Sequence, residues 1–148
     1  MTSNLRTSHG MQSEPKASDG PIRLHGPEAF EGMRKAGRLA AEALDMLAPW
    51  VKPGVSTGKL DDLVLQFAMD HGAIPAPLNY RGFPKSICTS INHVVCHGIP
   101  GPKPLREGDI INIDVTLVLD GWHGDTSRMY SAGRINRRAE RLIDVTYE

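Results

Sequence analysis

From Asp109 to Leu119 the side chains alternate without a break: Ile111, Ile113, Val115, Leu117 and Leu119 fall on one face, and Asn112, Asp114 and Thr116 on the other. A period of two sustained over that length is the mark of a strand with one buried face. Asp120-Gly121 follows at once, and such a pair readily supplies the two positive-φ positions of a type I′ turn. The chain is therefore predicted to return antiparallel from Trp122 to about Ser131. A two-residue turn also fixes the register, with Leu119 opposite Trp122, Thr116 opposite Asp125 and Asp114 opposite Ser127. Any fold open to this chain has to be built around that long hairpin and has to cover its apolar face.

Two helices can provide the cover. Phe30, Met33, Gly37, Ala40, Leu44 and Leu47 recur at spacings of three and four, which predicts a helix over Glu28 to Ala48 with Pro27 at its start and Pro49 at its end. After the turn at Lys52-Pro53-Gly54, Ser56 or Thr57 can cap a second helix that carries Leu60, Leu63, Val64 and Phe67 on one face and ends at Gly72. Asn79 to Pro84 reads as irregular, Ser86 to Ile91 and Val94 to His97 as short strands joined around Asn92, and Pro100 to Pro104 as a loop. A charged helix begins near Arg137. Met1 to Gly26 is polar and aperiodic and cannot bury enough apolar surface to offset its ordering entropy, so residues 1–26 are expected to form a disordered tail.

At 148 residues the chain has the size of one domain. Seventeen basic and seventeen acidic residues cancel, so no global field draws it to nucleic acid or to an anionic membrane. Arg134, Arg137, Arg138 and Arg141 are diluted by Glu140 and Asp144 and read as a solvated helix face. No apolar run approaches the ~20 residues of a membrane helix, and no secretory signal opens the chain, which points to the cytoplasm. Cys88 and Cys96 have no zinc-finger spacing and are expected to be reduced thiols packed in strands.

The polar face of the hairpin is where chemistry can reside. Asp114 and Asp125 become diagonal neighbours, roughly 7–8 Å apart at the backbone, a gap that carboxylate side chains can close. Two like charges on one face destabilise a hairpin unless something compensates. A divalent cation would do so; the plainer reading is the solvated face of an antiparallel sheet. Oxygen donors alone suit Mg, Ca or Mn, and a nearby imidazole brings Zn, Fe or Co into range.

His93 and His97 stand four apart, but Val94 occupies the place where the helical zinc motif needs its glutamate. In a strand the two histidines would be about 13 Å apart, too far for one ion. A Cys96–His97 dyad fails in a strand as well, because adjacent side chains point to opposite faces. His97, just before Gly98-Ile99-Pro100, remains as the candidate, provided that it faces the same cleft as the aspartates. His71 falls at the end of the second helix, and His123 lies on the aspartates' face.

Three blocks, Asn79-Tyr80-Arg81-Gly82-Phe83-Pro84-Lys85-Ser86, Val94-Val95-Cys96-His97-Gly98-Ile99-Pro100, and Asn112-Ile113-Asp114-Val115-Thr116 with Gly124-Asp125-Thr126-Ser127, occur in an order and spacing that resemble the type I methionine aminopeptidases. The resemblance runs from about Gly26 to Glu148. It implies an α+β chain of the pita-bread (creatinase/aminopeptidase-like) fold, in which two similar halves hold a two-metal centre between them. Residues 27–148 would then be the N-terminal part of the catalytic domain, the first half plus the start of the second. By position, Asp114 resembles the ligand that chelates one metal and Asp125 the carboxylate that bridges both. His97 resembles the catalytic histidine that hydrogen-bonds the substrate, and Tyr80, Phe83 and Cys88 resemble residues of the methionine side-chain pocket. His93 stands where an acidic residue is common, and Phe83 where a tyrosine is frequent.

The resemblance further implies two divalent ions (Co, Mn, Fe or Zn) that activate a shared water and polarise the scissile carbonyl. The substrate would be the N-terminal methionine of nascent peptides near the ribosome, acted on by a monomer without direct contact to nucleic acid or membrane. Three further metal ligands, a histidine and two glutamates, come from the second half in that family, and this sequence does not reach them. The chain is accordingly expected to bind metal weakly, to turn over little substrate and to be prone to aggregation. The alternative is a non-catalytic peptide-binding remnant of the same fold.

Overall fold

The computed structural model describes Ile22 and residues 24–148, so the predicted tail lies almost wholly outside the described residues. Seven principal elements follow: α1 (Pro27–Leu47), α2 (Thr57–Asp70), β1 (Ile74–Pro75), β2 (Cys88–Ile91), β3 (Asp109–Leu119), β4 (Trp122–Ala132) and α3 (Arg137–Tyr147). Short 3-10 turns occupy Ala48–Trp50 and Tyr80–Gly82. Among the described residues no helix is long and apolar enough to cross a membrane.

The hairpin forms in the predicted register, with Leu119 opposite Trp122, Thr116 opposite Asp125 and Asp114 opposite Ser127. Asp120 and Gly121 both take positive φ, 51° and 82°, as a type I′ turn requires. Strand β3 is the axis of an antiparallel sheet. Strand β4 pairs with it from end to end, while β2 pairs with Ile111–Asp114 and β1 with Leu117 and Val118. Because β4 occupies one whole edge of β3, the two short strands share the other. The chain between them leaves the sheet just after Ala76, whose N–H bonds the Thr116 carbonyl at 2.9 Å.

Helices α1 and α2 cover one face of this sheet. Ile111, Ile113, Val115 and Leu117 pack there with Leu39, Leu44, Leu47, Leu60 and Val64. Ser56 caps α2 by accepting the Lys59 N–H, and Thr57 is the first helical residue. Gly72 closes that helix with φ +66°, as expected for a left-handed C-terminal position. The core face of α1 differs at its start from the predicted one: Ala29, Ala36, Leu39, Ala40, Ala43, Leu44 and Leu47 are buried, and Phe30 and Met33 are 52% and 51% exposed. Close approach of α1 to β4 is the reason. A Cβ on Gly124 would lie 2.1 Å from the Ala36 carbonyl carbon, so only small residues fit along this line and bulky ones are turned aside.

Val94–His97 does not form the expected strand. Asn92 and His97 hold φ of +53° and +54°, which breaks the extended backbone at both ends of the segment. Asn92 instead ties the loop to β3: its side chain accepts the Ile110 N–H at 3.1 Å and donates to Asp109 at 2.9 Å. The strand spacing of His93 and His97 therefore does not apply. Cys96 is exposed in this loop rather than packed in a strand, whereas Cys88 is buried in β2 as expected, and both are free.

Candidate metal centre

The second face of the hairpin carries the aspartates. Asp114 and Asp125 project from adjacent strands on the side away from the helices, as the register requires. They touch: burial raises the pKa of Asp114 above the usual carboxylate range, the charge of Asp125 and a hydrogen bond between the two carboxyls add to the rise, and His97 opposes it. Asp125 also accepts a hydrogen bond from the Thr116 hydroxyl at 2.9 Å.

Loops on both sides raise walls around this floor. The result is a cavity of about 700 Å³ whose lining includes Asp114, Asp125, His97, Tyr80, Phe83 and Cys88, all of the residues singled out from the sequence. His123, Thr116 and Arg81 add to its polar lining. His97 reaches the cavity by an unusual backbone. It is a non-glycine residue at φ +54°, and the next residue is pinned to β2 on both sides: the Thr89 N–H donates to the Gly98 carbonyl at 2.7 Å and the Gly98 N–H to Ser90 Oγ at 3.2 Å. A Cβ on Gly98 would stand 2.1 Å from the Thr89 carbonyl oxygen, so glycine is required there. Strain of this kind persists where surrounding structure over-determines it, and here it accompanies the entry of His97 into the lining that Asp114 and Asp125 share.

The opposite wall, Tyr80 to Pro84, is held from below by a residue the sequence reading overlooked. Asp61 of α2 is 3% exposed, and its Oδ1 accepts the Ser86 and Ile87 N–H groups at 2.7 and 3.2 Å while Oδ2 meets Lys85 Nζ at 3.2 Å. A signal was available: Asp61 lies between Leu60 and Val64 on the apolar side of its helix, where an unpaired carboxylate would be costly. Within the wall, Asn79 and Arg81 both take left-handed φ, and the Asn79 N–H closes the loop on the Phe83 carbonyl at 2.8 Å.

The thiol of Cys88 is pushed up to about 11, first by burial and then by Asp114, Cys96 and Asp125. At neutral pH the metal-free thiol is protonated and offers a neutral, soft contact surface. Hard oxygen donors are what the floor provides. Asp114 and Asp125 fit a divalent ion as one edge of its coordination, since a cation removes the like-charge repulsion between them. Among the described residues no group of three or more His, Cys, Asp or Glu side chains is arranged to hold an ion, so this edge is a partial site.

The profile of metallopeptidase family M24 matches residues 31–148. Methionine aminopeptidase of Rickettsia prowazekii (strain Madrid E) is 62% identical over 127 residues, which are 86% of this chain and 49% of the relative. Its crystal structure superposes with a TM-score of 0.84 over 86% of this chain and 51% of that one. Methionine aminopeptidase of Thermotoga maritima, 34% identical, superposes at 0.82 with the same coverage. An Xaa-Pro dipeptidase from Bacillus anthracis, 18% identical, shares the fold at a TM-score of 0.71 over 83% of this chain and 33% of that one. The chain spans about half the length of the curated relatives it matches.

Proposed function

This chain belongs to metallopeptidase family M24, whose fold is of the pita-bread type, and from that premise we propose that it carries the first part of a methionine aminopeptidase centre, acting on the N-terminal methionine of peptides. The family brings a requirement for divalent metal; two ions, drawn from Co, Mn, Fe or Zn, are part of this proposal. One observation carries it: the two carboxylates, the histidine and the apolar wall line a single cavity.

In this reading Asp114 and Asp125 would hold the metal through their carboxylate oxygens. What the ions supply when bound is polarisation of the scissile carbonyl and activation of a water. In the same reading His97 donates a hydrogen bond to the peptide as charge develops on it. Tyr80, Phe83 and the neutral thiol of Cys88 give the methionine side chain aromatic and soft contacts suited to a thioether. Action on nascent peptides in the cytoplasm, near the ribosome, by a monomer in the full-length family, is part of the same reading.

A second reading is favoured by the partial donor set: these residues bind a peptide N-terminus without hydrolysing it. Titration of the 148-residue chain with Mn²⁺, followed by NMR, tests the metal edge, and paramagnetic broadening should begin at Asp114 and Asp125. Broadening that spares both residues overturns their assignment as ligands. A Met-Gly peptide with added Co²⁺ or Mn²⁺ separates the two readings. Little or no turnover is expected from the chain alone, and appreciable turnover would show that its own residues suffice.

A further inference from the structure

Thr116 sits directly opposite Asp125 in the hairpin and on the same face. Its hydroxyl donates to Asp125 Oδ1 at 2.9 Å, and it lines the same cavity as the carboxylate it contacts. Two features make this contact directional. Threonine is β-branched and stiff at χ1, so its hydroxyl has a narrow choice of positions. The register that places it is fixed by the type I′ turn four residues away, and the strand it belongs to is buried on its other face, so it cannot slip.

Asp125, by contrast, is an exposed side chain on a pleated surface, and it must be held close to Asp114 if the two are to share an ion. A carboxylate oxygen has two lone-pair sites. The hydroxyl uses one on Oδ1, which leaves the second and all of Oδ2 for other partners. A hydrogen bond at this exposed position adds little to stability, since water competes for it. Its effect is orientation.

We propose that Thr116 is a positioning residue, whose hydroxyl holds the Asp125 carboxylate in the rotamer that converges with Asp114 on a divalent ion. The proposal rests on the metal reading of the two aspartates, and extends it to a residue that does not itself bind the ion.

Thr116→Val keeps the shape and the β-branching and removes the hydroxyl; Thr116→Ser keeps the hydroxyl. In the metal-free chain, NMR three-bond couplings report the χ1 of Asp125. A single rotamer is expected in the wild type and in Thr116→Ser, and rotamer averaging in Thr116→Val. A single rotamer retained in Thr116→Val, or averaging already present in the wild type, overturns the proposal. Mn²⁺ titration then reads the consequence: Thr116→Val should weaken binding roughly tenfold while Thr116→Ser stays within about twofold, as for hydrogen bonds that orient metal ligands elsewhere. Equal weakening by both variants, or none by Thr116→Val, also overturns it. Failure of the wild type to bind Mn²⁺ at Asp114 and Asp125 overturns the metal reading instead, and the couplings still decide what Thr116 does.

Discussion

Asp114 is half-buried beside a second carboxylate, and burial followed by the Asp125 charge raises its pKa. A carboxyl with a raised folded-state pKa binds its proton more tightly when folded than when unfolded. Stability therefore falls as pH rises from the ordinary carboxylate range through the folded pKa, and the deficit persists above it. Asp114→Asn should raise the stability of the metal-free chain at pH 7 by up to about 1 kcal/mol, the scale of a like-charge pair on a sheet face, and leave it unchanged near pH 3. Chemical denaturation at the two pH values checks this, and a loss of stability at pH 7 would contradict it. The thiols divide just as clearly. Cys96 is exposed, whereas Cys88 is buried with its thiol pushed up to about 11 from an ordinary 9.0. About a hundredfold less thiolate is then available at Cys88, before access is considered. Mass-spectrometric mapping of alkylation at pH 8 should find Cys96 modified first and Cys88 only on unfolding.

At the scale of elements, Asp61 joins α2 to the approach of β2 and so supports the Tyr80–Pro84 wall. Asp61→Ala leaves the Ser86 and Ile87 N–H groups without their acceptor, at a cost of about 2–4 kcal/mol for two buried donors. Asp61→Asn retains an acceptor oxygen and should lose less, a ranking that urea unfolding measures. Helix α3 stands at the other extreme. Asn136 caps it well, accepting from the Arg138 and Ala139 N–H groups, but none of its residues is buried. A helix of this length without a packed face is marginal in water. Its amides should exchange quickly in a hydrogen-exchange experiment while those of β3 and β4 remain the most protected; comparable protection in α3 would show packing that the fold does not provide.

Taken whole, the molecule has one well-covered sheet face and much apolar surface left outside it. Phe30 and Met33 flank the start of α1, Val95 and Ile99 the His97 loop, and Leu142, Val145 and Tyr147 run along α3, all more than half exposed. Uncovered area on the order of several hundred Å² forfeits about 10 kcal/mol at ~25 cal/mol per Å², comparable with the stability of a whole domain. The isolated chain is accordingly expected to self-associate and to bind a hydrophobic dye. A monomer by sedimentation, with a sharp cooperative transition and no dye binding, would run against that expectation.

Much of this was legible in the residues because it depended on neighbours along the chain. The alternation from Asp109 to Leu119 and the Asp120-Gly121 turn determined the hairpin and its register, and with them the facing of Asp114, Thr116 and Asp125, since a two-residue turn leaves no freedom to slip. Ser56 and Gly72 likewise marked the ends of α2. What tertiary structure decided were contacts between distant segments. Phe30 and Met33 were displaced from the core because β4 reaches the α1 backbone at Gly124, a closeness no local pattern encodes. His97 came to the aspartates' cavity through a left-handed backbone pinned by β2, where its sequence read as a strand. Asp61 became an anchor only when Ser86 and Ile87 arrived beside it. Periodicity reports which face of an element is apolar; it is silent on which distant backbone will press against that face, and the walls of this site are made of such meetings.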